Sequence, residues 1–246
     1  NTDMGMILGA ATIFYAFSKF LSGVLADRMN ATVLMAFGLV VSALMNILFG
    51  LSPVFSATLG MATPLVFFIV FWAISNLFQG LGMPPCSKML TSWYSAGERG
   101  TAWGIWNASH QSGSAIIMIT LGFVIPIYGW RAAFFGPAIF ALLISLFILN
   151  RLRDTPESIG LPSVEERKGG EAKCAPKEQL PFKEAFSKYI LRNKMVWIVC
   201  FANFFVYIVR IGVLDWGPTF LQESKGFTAE ASGFATSAFE VAGMTG

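Results

Sequence analysis

The sequence predicts an all-α, polytopic membrane protein, a bundle of about six full membrane spans and one partial span. Of its 246 residues, 55% are hydrophobic and only 13% are charged, a balance that a water-facing globular surface does not tolerate. Between Arg28 and Lys88 the chain has no charged side chain. Since one spanning helix needs roughly 20 apolar residues, this gap alone accommodates two spans.

Apolar runs separated by charged residues, glycines and prolines predict the individual helices. A polar stretch that reaches about Lys194 separates the first five runs from the last two, and the final run is the beginning of a further span. The consecutive prolines Pro84 and Pro85 are predicted to kink or end the third span. In chain order the runs are Met4 to Ala26, Val33 to Leu51, Pro64 to Met83, Thr101 to Ile127, Ala132 to Asn150, Met195 to about Leu221, and Ala231 onward.

The distribution of basic residues predicts the orientation, because Lys and Arg near span ends are retained on the cytoplasmic side. Ten of the 17 basic residues lie within residues 151–194, and three more fall in loops on the same side. The opposite side has only Arg131 and Lys225. We therefore expect the N-terminus of the chain to lie outside and residues 151–194 to form a flexible cytoplasmic linker.

This order of elements predicts two helical bundles on either side of a linker. Residues 1–150 form the N-terminal bundle, residues 151–194 the linker, and residues 195–246 the start of the C-terminal bundle. Many secondary carriers have two six-helix halves divided by such a loop, whereas only five spans precede it here. We expect one helix to be missing at the front, and both ends of the chain to be cuts in a longer protein.

Several functional classes find no support in the residue pattern. Cys86, Cys174 and Cys200 share no ligand spacing and have a single histidine, His110, to join them, so we expect neither a disulfide framework nor a metal site. No paired carboxylates or Ser/His/Asp set indicates an enzyme. We expect no cofactor, and no nucleic-acid partner, because the positive charge is concentrated in one loop.

Lys19 and His110 lie inside predicted spans, where an ionisable group costs about 2.5–3.5 kcal/mol and is a functional candidate by default. Tyr15 lies one helical turn from Lys19, and Asn107 three residues before His110, so each pair shares a helix face. Lys19 can alternatively snorkel to the interface, and His110 can serve as an interhelical hydrogen-bonding group. A histidine with an ordinary pKa near 6.5 can change charge as an anion arrives.

Arg210 is the strongest candidate, because it interrupts a long apolar run well away from the membrane surface. Its guanidinium is always charged and offers a planar fork of donors that matches two phosphate oxygens, and Tyr207 lies on the same face. The alternative is a buried ion pair with Asp215 or Glu240. Asp215 is five residues on and poorly aligned within the helix, and we interpret both acids as gating or structural partners. The basic groups together describe a cavity for a compact anion such as phosphate.

Short motifs distributed along the chain are distinctive in combination. They are FSKF at 17–20, QGLGMPPC at 79–86, ERG at 98–100, WN at 106–107 followed by His110, RDTP at 153–156 with GLP at 160–162, and LDW at 214–216. Together they resemble the organophosphate:phosphate antiporter family of the major facilitator superfamily, which includes glycerol-3-phosphate and hexose-6-phosphate carriers. The resemblance covers nearly the whole chain.

The resemblance implies that the chain runs from the family's second helix to the start of its eighth. The family's first helix, which carries an arginine acting together with the one at Arg210, would then be absent. The positions matching phosphate-binding residues of the family are Lys19, His110 and Arg210. The positions matching cavity-lining residues are Tyr15, Asn107 and Tyr207.

The resemblance also implies gating residues. Asp215 and Glu240 match acids of salt bridges that form and break in the transport cycle. Asp27 and Arg28 belong to a stretch that resembles the superfamily's loop motif after the second helix, although Thr32 stands where a basic residue is usual. We therefore expect a weaker cytoplasmic gate.

Two further departures, Gln111 and Ser114, replace the Asn and Gly that the family usually has. We expect them to affect helix packing and selectivity more than the anion site.

The function that follows is exchange of an organophosphate for inorganic phosphate by alternating access, in a bacterial cytoplasmic membrane. We expect a monomer surrounded by membrane lipid, with small phosphate compounds as its ligands. The alternative is a membrane-bound sensor of sugar phosphate that keeps the fold and the anion site but signals to a partner kinase.

Overall fold

The computed structural model describes residues 2–61, 64–167, 184 and 186–244, and within these ranges every regular element is a helix. The predicted all-α class is therefore confirmed. Six stretches are long and apolar enough to cross a membrane, in agreement with the six full spans predicted, and the chain is an integral membrane protein. They are Gly5–Arg28, Ala31–Thr58, Leu65–Trp93, Arg99–Tyr128, Ala132–Arg151 and Lys194–Lys225.

The first two helices follow each other almost without a loop. Helix α1 (Thr2–Arg28) is followed by α2 (Ala31–Thr58) after a two-residue connection. Asn30 caps α2, because its side-chain oxygen accepts a hydrogen bond of 3.2 Å from the backbone N–H of Val33. Such a cap satisfies one of the N–H groups that a helix start leaves without a partner.

The third span consists of two helices. α3 (Leu65–Gln79) ends before a turn at residues 80–82, and α4 (Met83–Trp93) continues the span. Both consecutive prolines lie in the first turn of α4, where the absent N–H has no helical partner to lose. Our prediction that the span ends at Met83 was therefore wrong, since the break precedes the prolines and the helix resumes.

Gly80 occupies the break because another helix approaches it closely. A Cβ atom added at Gly80 would lie 2.5 Å from Oγ and 2.6 Å from Cβ of Ser18 on α1. The Ser18 hydroxyl donates to the carbonyl oxygen of Leu77, in the last turn of α3. Only a residue without a side chain permits this contact between α1 and α3.

Two of the remaining long helices end at glycines, and short helical turns lie between the fifth and sixth spans. α5 (Arg99–Tyr128) ends at Gly129 (φ 78°) and is followed by α6 (Ala132–Arg151). Between α6 and the next span, the described residues include a 3₁₀ turn at Pro156–Ile159, the single turn α7 (Val164–Arg167) and a π-helical turn at Phe186–Leu191. α8 (Lys194–Lys225) ends at Gly226 (φ 69°), and α9 (Ala229–Met244) is the last helix.

The chain divides into two compact units. The first comprises residues 1–107 and 124–171. In it, α2 packs against α3 and α6, and α1 packs against α3 and α4. Small polar side chains bond across the α2–α3 contact, where Ser42 Oγ donates to the carbonyl of Ser75 at 3.1 Å and Asn46 Nδ2 donates to Ser75 Oγ at 3.3 Å. Such small residues let helices approach closely in a membrane.

An ion pair and two hydrogen bonds connect three parts of the first unit. Lys88 Nζ lies 3.3 Å from Asp154 Oδ2 and donates to the carbonyl of Met29 at 3.2 Å. The indole N–H of Trp93 donates to the carbonyl of Arg153 at 3.0 Å. These bonds tie α4 to the connection after α1 and to the segment after α6.

The second unit comprises residues 108–123 and 172–246, so it contains the middle of α5 together with α8 and α9. α8 packs against α9. A Cβ atom added at Gly233 of α9 would lie only 3.1 Å from the carbonyl oxygen of Met118 on α5. The buried face of α9 consists of small and polar residues and ends in an acid: Ser232, Gly233, Thr236, Ser237 and Glu240.

Candidate functional site

The candidate site is centred on Arg210, which lies near the middle of α8 with 23% of its side chain exposed. Its Nη2 atom lies 3.2 Å from Oε2 and 3.5 Å from Oε1 of Glu240, on α9. The Glu240 side chain is only 1% exposed. A carboxylate this deeply buried needs a cationic partner, and the guanidinium supplies it.

A third helix contributes Gln111 to the same place. Its side-chain oxygen accepts a hydrogen bond from Nη2 of Arg210 at 2.7 Å, and the residue is 6% exposed. Nη2 carries two hydrogens and can serve both acceptors at once. We call Arg210, Glu240 and Gln111 the Arg210 cluster, and it joins α8, α9 and α5 within the second unit.

Arg210 keeps hydrogen-bonding capacity beyond this cluster. A guanidinium has five N–H donors in a fixed planar arrangement. Within the part of the chain that the structure describes, the three donors on Nε and Nη1 have no acceptor, since all of its bonds are made by Nη2. Beside its ion pair with Glu240, the guanidinium thus retains donors that could bind a further acceptor.

Lys19 lies on α1, in the first unit, and its surroundings are aromatic. Its Nζ atom lies 4.4 Å from the centroid of the Tyr15 ring, a cation–π contact one helical turn apart. The side chain is half-buried. Among the residues that the structure describes, no carboxylate pairs with it, so its charge is not compensated there by an acid.

The other predicted binding residues share helices with these groups. Asn107 and His110 are exposed residues of α5. Tyr207 is 45% exposed and lies one turn before Arg210 on α8. Of the six predicted binding residues, the structure thus pairs Lys19 with Tyr15 and places Tyr207 next to Arg210 along the helix.

The predicted gating residues differ in their surroundings. Glu240 pairs with Arg210, whereas Asp215 is half-buried and makes no hydrogen bond or ion pair with any described residue. Asp27 and Arg28 are exposed at the end of α1, also without a partner in the described ranges. Of the two acids that the sequence offered as partners of Arg210, the structure selects Glu240.

Gln111 is the member of the cluster that sequence reasoning missed. The sequence pattern predicts for it only an effect on packing and selectivity. A signal was available, because Gln111 follows Asn107 by four residues and so lies on the same face of α5 as a predicted cavity-lining amide. An amide within an apolar span also requires a polar partner.

The same residues offer neither a metal site nor a disulfide within the described ranges. In the ranges that the structure describes, no group of three or more His, Cys, Asp or Glu could hold a metal ion. Cys86 and Cys200 are free thiols there, and Cys174 lies outside the described residues.

Comparison with known proteins identifies relatives over the whole chain. A glycerol-3-phosphate transporter of Bacillus subtilis is 42% identical over 100% of this chain and 55% of its own length. A probable hexose phosphate transport protein of Chlamydia muridarum is 39% identical over 100% of the chain and 54% of its own. The membrane sensor protein UhpC of Escherichia coli is 36% identical over 100% of the chain and 54% of its own. The chain thus spans about half the length of these relatives, which confirm the resemblance that the motifs predicted.

A solved structure has the same fold. A bacterial homolog of the human lysosomal transporter Spinster, in an inward-facing and unoccupied conformation, aligns with a TM-score of 0.70 over 97% of this chain and 52% of its own. At 18% identity this likeness concerns the fold alone. The sequence profile of the Major Facilitator Superfamily, a family of transporters rather than enzymes, matches residues 1–246. The chain therefore belongs to the Major Facilitator Superfamily.

Proposed function

We propose that this chain is part of a secondary transporter that exchanges an organophosphate, such as glycerol-3-phosphate or a hexose phosphate, for inorganic phosphate. The observation that carries the proposal is the Arg210 cluster. A guanidinium lies inside an apolar helix, held by an acid and an amide, with three donors free among the described residues. Charged groups inside membrane spans commonly mark a substrate pathway.

Phosphate suits this group chemically. A guanidinium binds two oxygens of a phosphate in parallel, and these charge-assisted bonds are about twice as strong as neutral ones. Lys19 adds a second positive charge, with no described acid to compete for it. We propose that His110 completes the charge match and that Tyr15, Asn107 and Tyr207 contribute hydrogen bonds.

The Glu240 carboxylate would compete with the anion for the guanidinium of Arg210. When phosphate binds the guanidinium of Arg210, the buried carboxylate of Glu240 loses the one partner that it has among the described residues. It must then pair with another group or move toward water. A ligand shifts a conformational equilibrium only by binding one state more tightly than the other. We propose that exchange of Glu240 for phosphate on Arg210 provides this difference. We also propose that Asp215, which pairs with no residue in the described ranges, forms its salt bridge in another state of the cycle.

The architecture of the proposal follows the two-bundle plan of secondary carriers. Residues 1–150 would belong to one bundle and residues 195–246 to the other, with residues 151–194 as the cytoplasmic linker. Rocking of one bundle against the other around a central site gives alternating access. We place Asp27 and Arg28 at the cytoplasmic gate, in a bacterial cytoplasmic membrane.

A sensor is the second candidate, because UhpC of Escherichia coli, named as a membrane sensor protein, is 36% identical over the whole chain. A sensor with the same anion site would bind phosphate compounds and pass the signal to a partner kinase without moving the ligand across the membrane. The two functions therefore share binding and differ in exchange.

Exchange in proteoliposomes separates the two. The full-length protein is reconstituted into vesicles loaded with phosphate or, as the control, with sulfate, and uptake of radiolabelled phosphate is followed. An antiporter gives uptake that requires internal phosphate and is inhibited by external glycerol-3-phosphate or glucose-6-phosphate. Binding without uptake indicates the sensor, and the absence of both contradicts the proposed site.

A further inference from the structure

The amide of Gln111 is held in place from two sides. Its oxygen lies 2.7 Å from Nη2 of Arg210, closer than either carboxylate oxygen of Glu240. A Cβ atom added at Gly243 of α9 would lie 3.3 Å from the Gln111 Nε2 atom, so the amide also lies against the backbone of that helix. At 6% exposure the side chain has little freedom to move.

The chemistry of the two acceptors on Nη2 differs. The amide oxygen of Gln111 accepts a hydrogen bond without carrying a charge, whereas the carboxylate of Glu240 neutralises the guanidinium. Nη2 takes part in both donor forks of a guanidinium, one with Nε and one with Nη1. With Gln111 on one Nη2 hydrogen and Glu240 on the other, neither pair of parallel donors is free to bind two phosphate oxygens. One of the two acceptors must leave first.

We propose that Gln111 is a positioning residue of the anion site, which holds one side of Arg210 while Glu240 and phosphate compete for the other. The neutral amide keeps the guanidinium oriented when the carboxylate leaves, and it does not itself cancel the charge that attracts phosphate. This inference rests on the proposed function, since it assigns a role within the same site. It adds a residue that the resemblance to the antiporter family did not assign.

Gln111→Glu is the informative substitution, because it keeps the shape of the side chain and its bond to Arg210 but adds a second carboxylate. The second carboxylate offsets the charge of the guanidinium and repels the incoming phosphate, which corresponds to at least about a tenfold loss of affinity. In exchange assays with the full-length protein we expect the KM for inorganic phosphate to rise by at least about tenfold. The maximal rate should change by less than about threefold, since the side chain keeps its size and its bond to Arg210 and should leave the folded fraction unchanged. A merely structural role would lower the maximal rate and leave KM unchanged.

Two further variants complete the experiment. Gln111→Met has a similar length but only a weak thioether acceptor, and it should raise KM by roughly three- to tenfold, the equivalent of one hydrogen bond. The double variant Gln111→Glu with Glu240→Gln returns the cluster to one carboxylate, and its phosphate affinity should lie within about threefold of wild type. The matched control is Gln222→Glu, since Gln222 is an exposed residue of α8 that bonds to Ser232 on α9, not to Arg210. This control should leave KM unchanged.

The outcomes distinguish this inference from the proposed function. A wild-type protein that binds no phosphate would overturn both. A wild-type protein that binds and exchanges phosphate, with Gln111→Glu equal to it, would overturn the role of Gln111 alone. The role would also fail if removal of the Glu240 charge left the Gln111→Glu defect in place.

Discussion

Glu240 and Arg210 form an ion pair that joins α9 to α8, with 3.2 Å between the carboxylate and Nη2 and with the acid only 1% exposed. The pair is asymmetric, since the arginine retains free donors within the described residues while the acid has no second described partner. Displacement of the carboxylate by an anion therefore leaves the acid, not the arginine, without compensation. We propose that occupancy of the site is thereby coupled to the position of α9.

Replacement of Arg210 by lysine should abolish or severely reduce phosphate binding. Lysine keeps the positive charge but presents a compact point charge in place of a planar fork, so it cannot serve Gln111 and a phosphate with the same geometry. We expect the affinity for inorganic phosphate to fall by at least about tenfold, the loss of one charge-assisted bond. Equilibrium binding of radiolabelled phosphate to the purified full-length protein measures it.

Arg192→Lys is the matched control for that substitution, because Arg192 is exposed and lies just before α8. It should bind phosphate like wild type. Unchanged affinity in Arg210→Lys would remove Arg210 from the site.

Arg210 and Lys19 should differ in their effect on stability, although both are cations inside spans. Arg210→Gln leaves Glu240 buried without its partner, which corresponds to a loss of about 3–5 kcal/mol in the free energy of unfolding. Lys19→Gln loses only the contact with the Tyr15 ring, a change of about 0.5–2 kcal/mol. Reversible unfolding in mixed micelles, followed by tryptophan fluorescence, measures both values.

Combining Arg210→Gln with Glu240→Gln should recover most of that loss, because the orphaned charge is then removed. Two results would show that the ion pair does not hold α9 against α8. One is equal destabilisation by Arg210→Gln and Lys19→Gln, and the other is no recovery in the combination of Arg210→Gln with Glu240→Gln.

Gly80→Ala should destabilise the first unit. The added Cβ atom would lie 2.5 Å from the Ser18 hydroxyl oxygen, and overpacking of this kind typically costs about 1–3 kcal/mol. Gly23→Ala is the matched control, since a Cβ atom there meets nothing within 4 Å. The difference in the free energy of unfolding between the two variants is the measurement. A Gly80→Ala variant as stable as Gly23→Ala would argue against the close α1–α3 contact.

The number of spans could be predicted from the sequence because membrane thickness fixes the length of each apolar run. The extent of the third span could not be predicted, since consecutive prolines are typical of a helix end and suggest a break at their own position. In the structure the break is set by Gly80, which the packing of Ser18 requires. That contact joins residues distant in sequence, and no local pattern specifies it.

The sequence identifies Arg210 as a candidate because a charged residue within an apolar run is unusual. It does not identify the residues that bond to Arg210. Helical geometry correctly disfavoured Asp215 within the same helix. Selecting Glu240 requires knowing that α9 packs against α8, which is a tertiary property. Gln111 was overlooked because a neutral amide carries no charge signal, although burial makes its hydrogen bond to Arg210 necessary.

The most direct test of the central claim is the phosphate affinity of Glu240→Gln compared with wild type, measured by equilibrium binding to the full-length protein under identical conditions. If the Glu240 carboxylate and phosphate compete for Arg210, removing the carboxylate charge should tighten phosphate binding by about tenfold or more, since a charge-assisted bond no longer has to be displaced. Exchange should slow, because the variant lacks the carboxylate that we propose pairs with Arg210 again after phosphate has left. Equal or weaker binding by Glu240→Gln would contradict the competition between acid and phosphate.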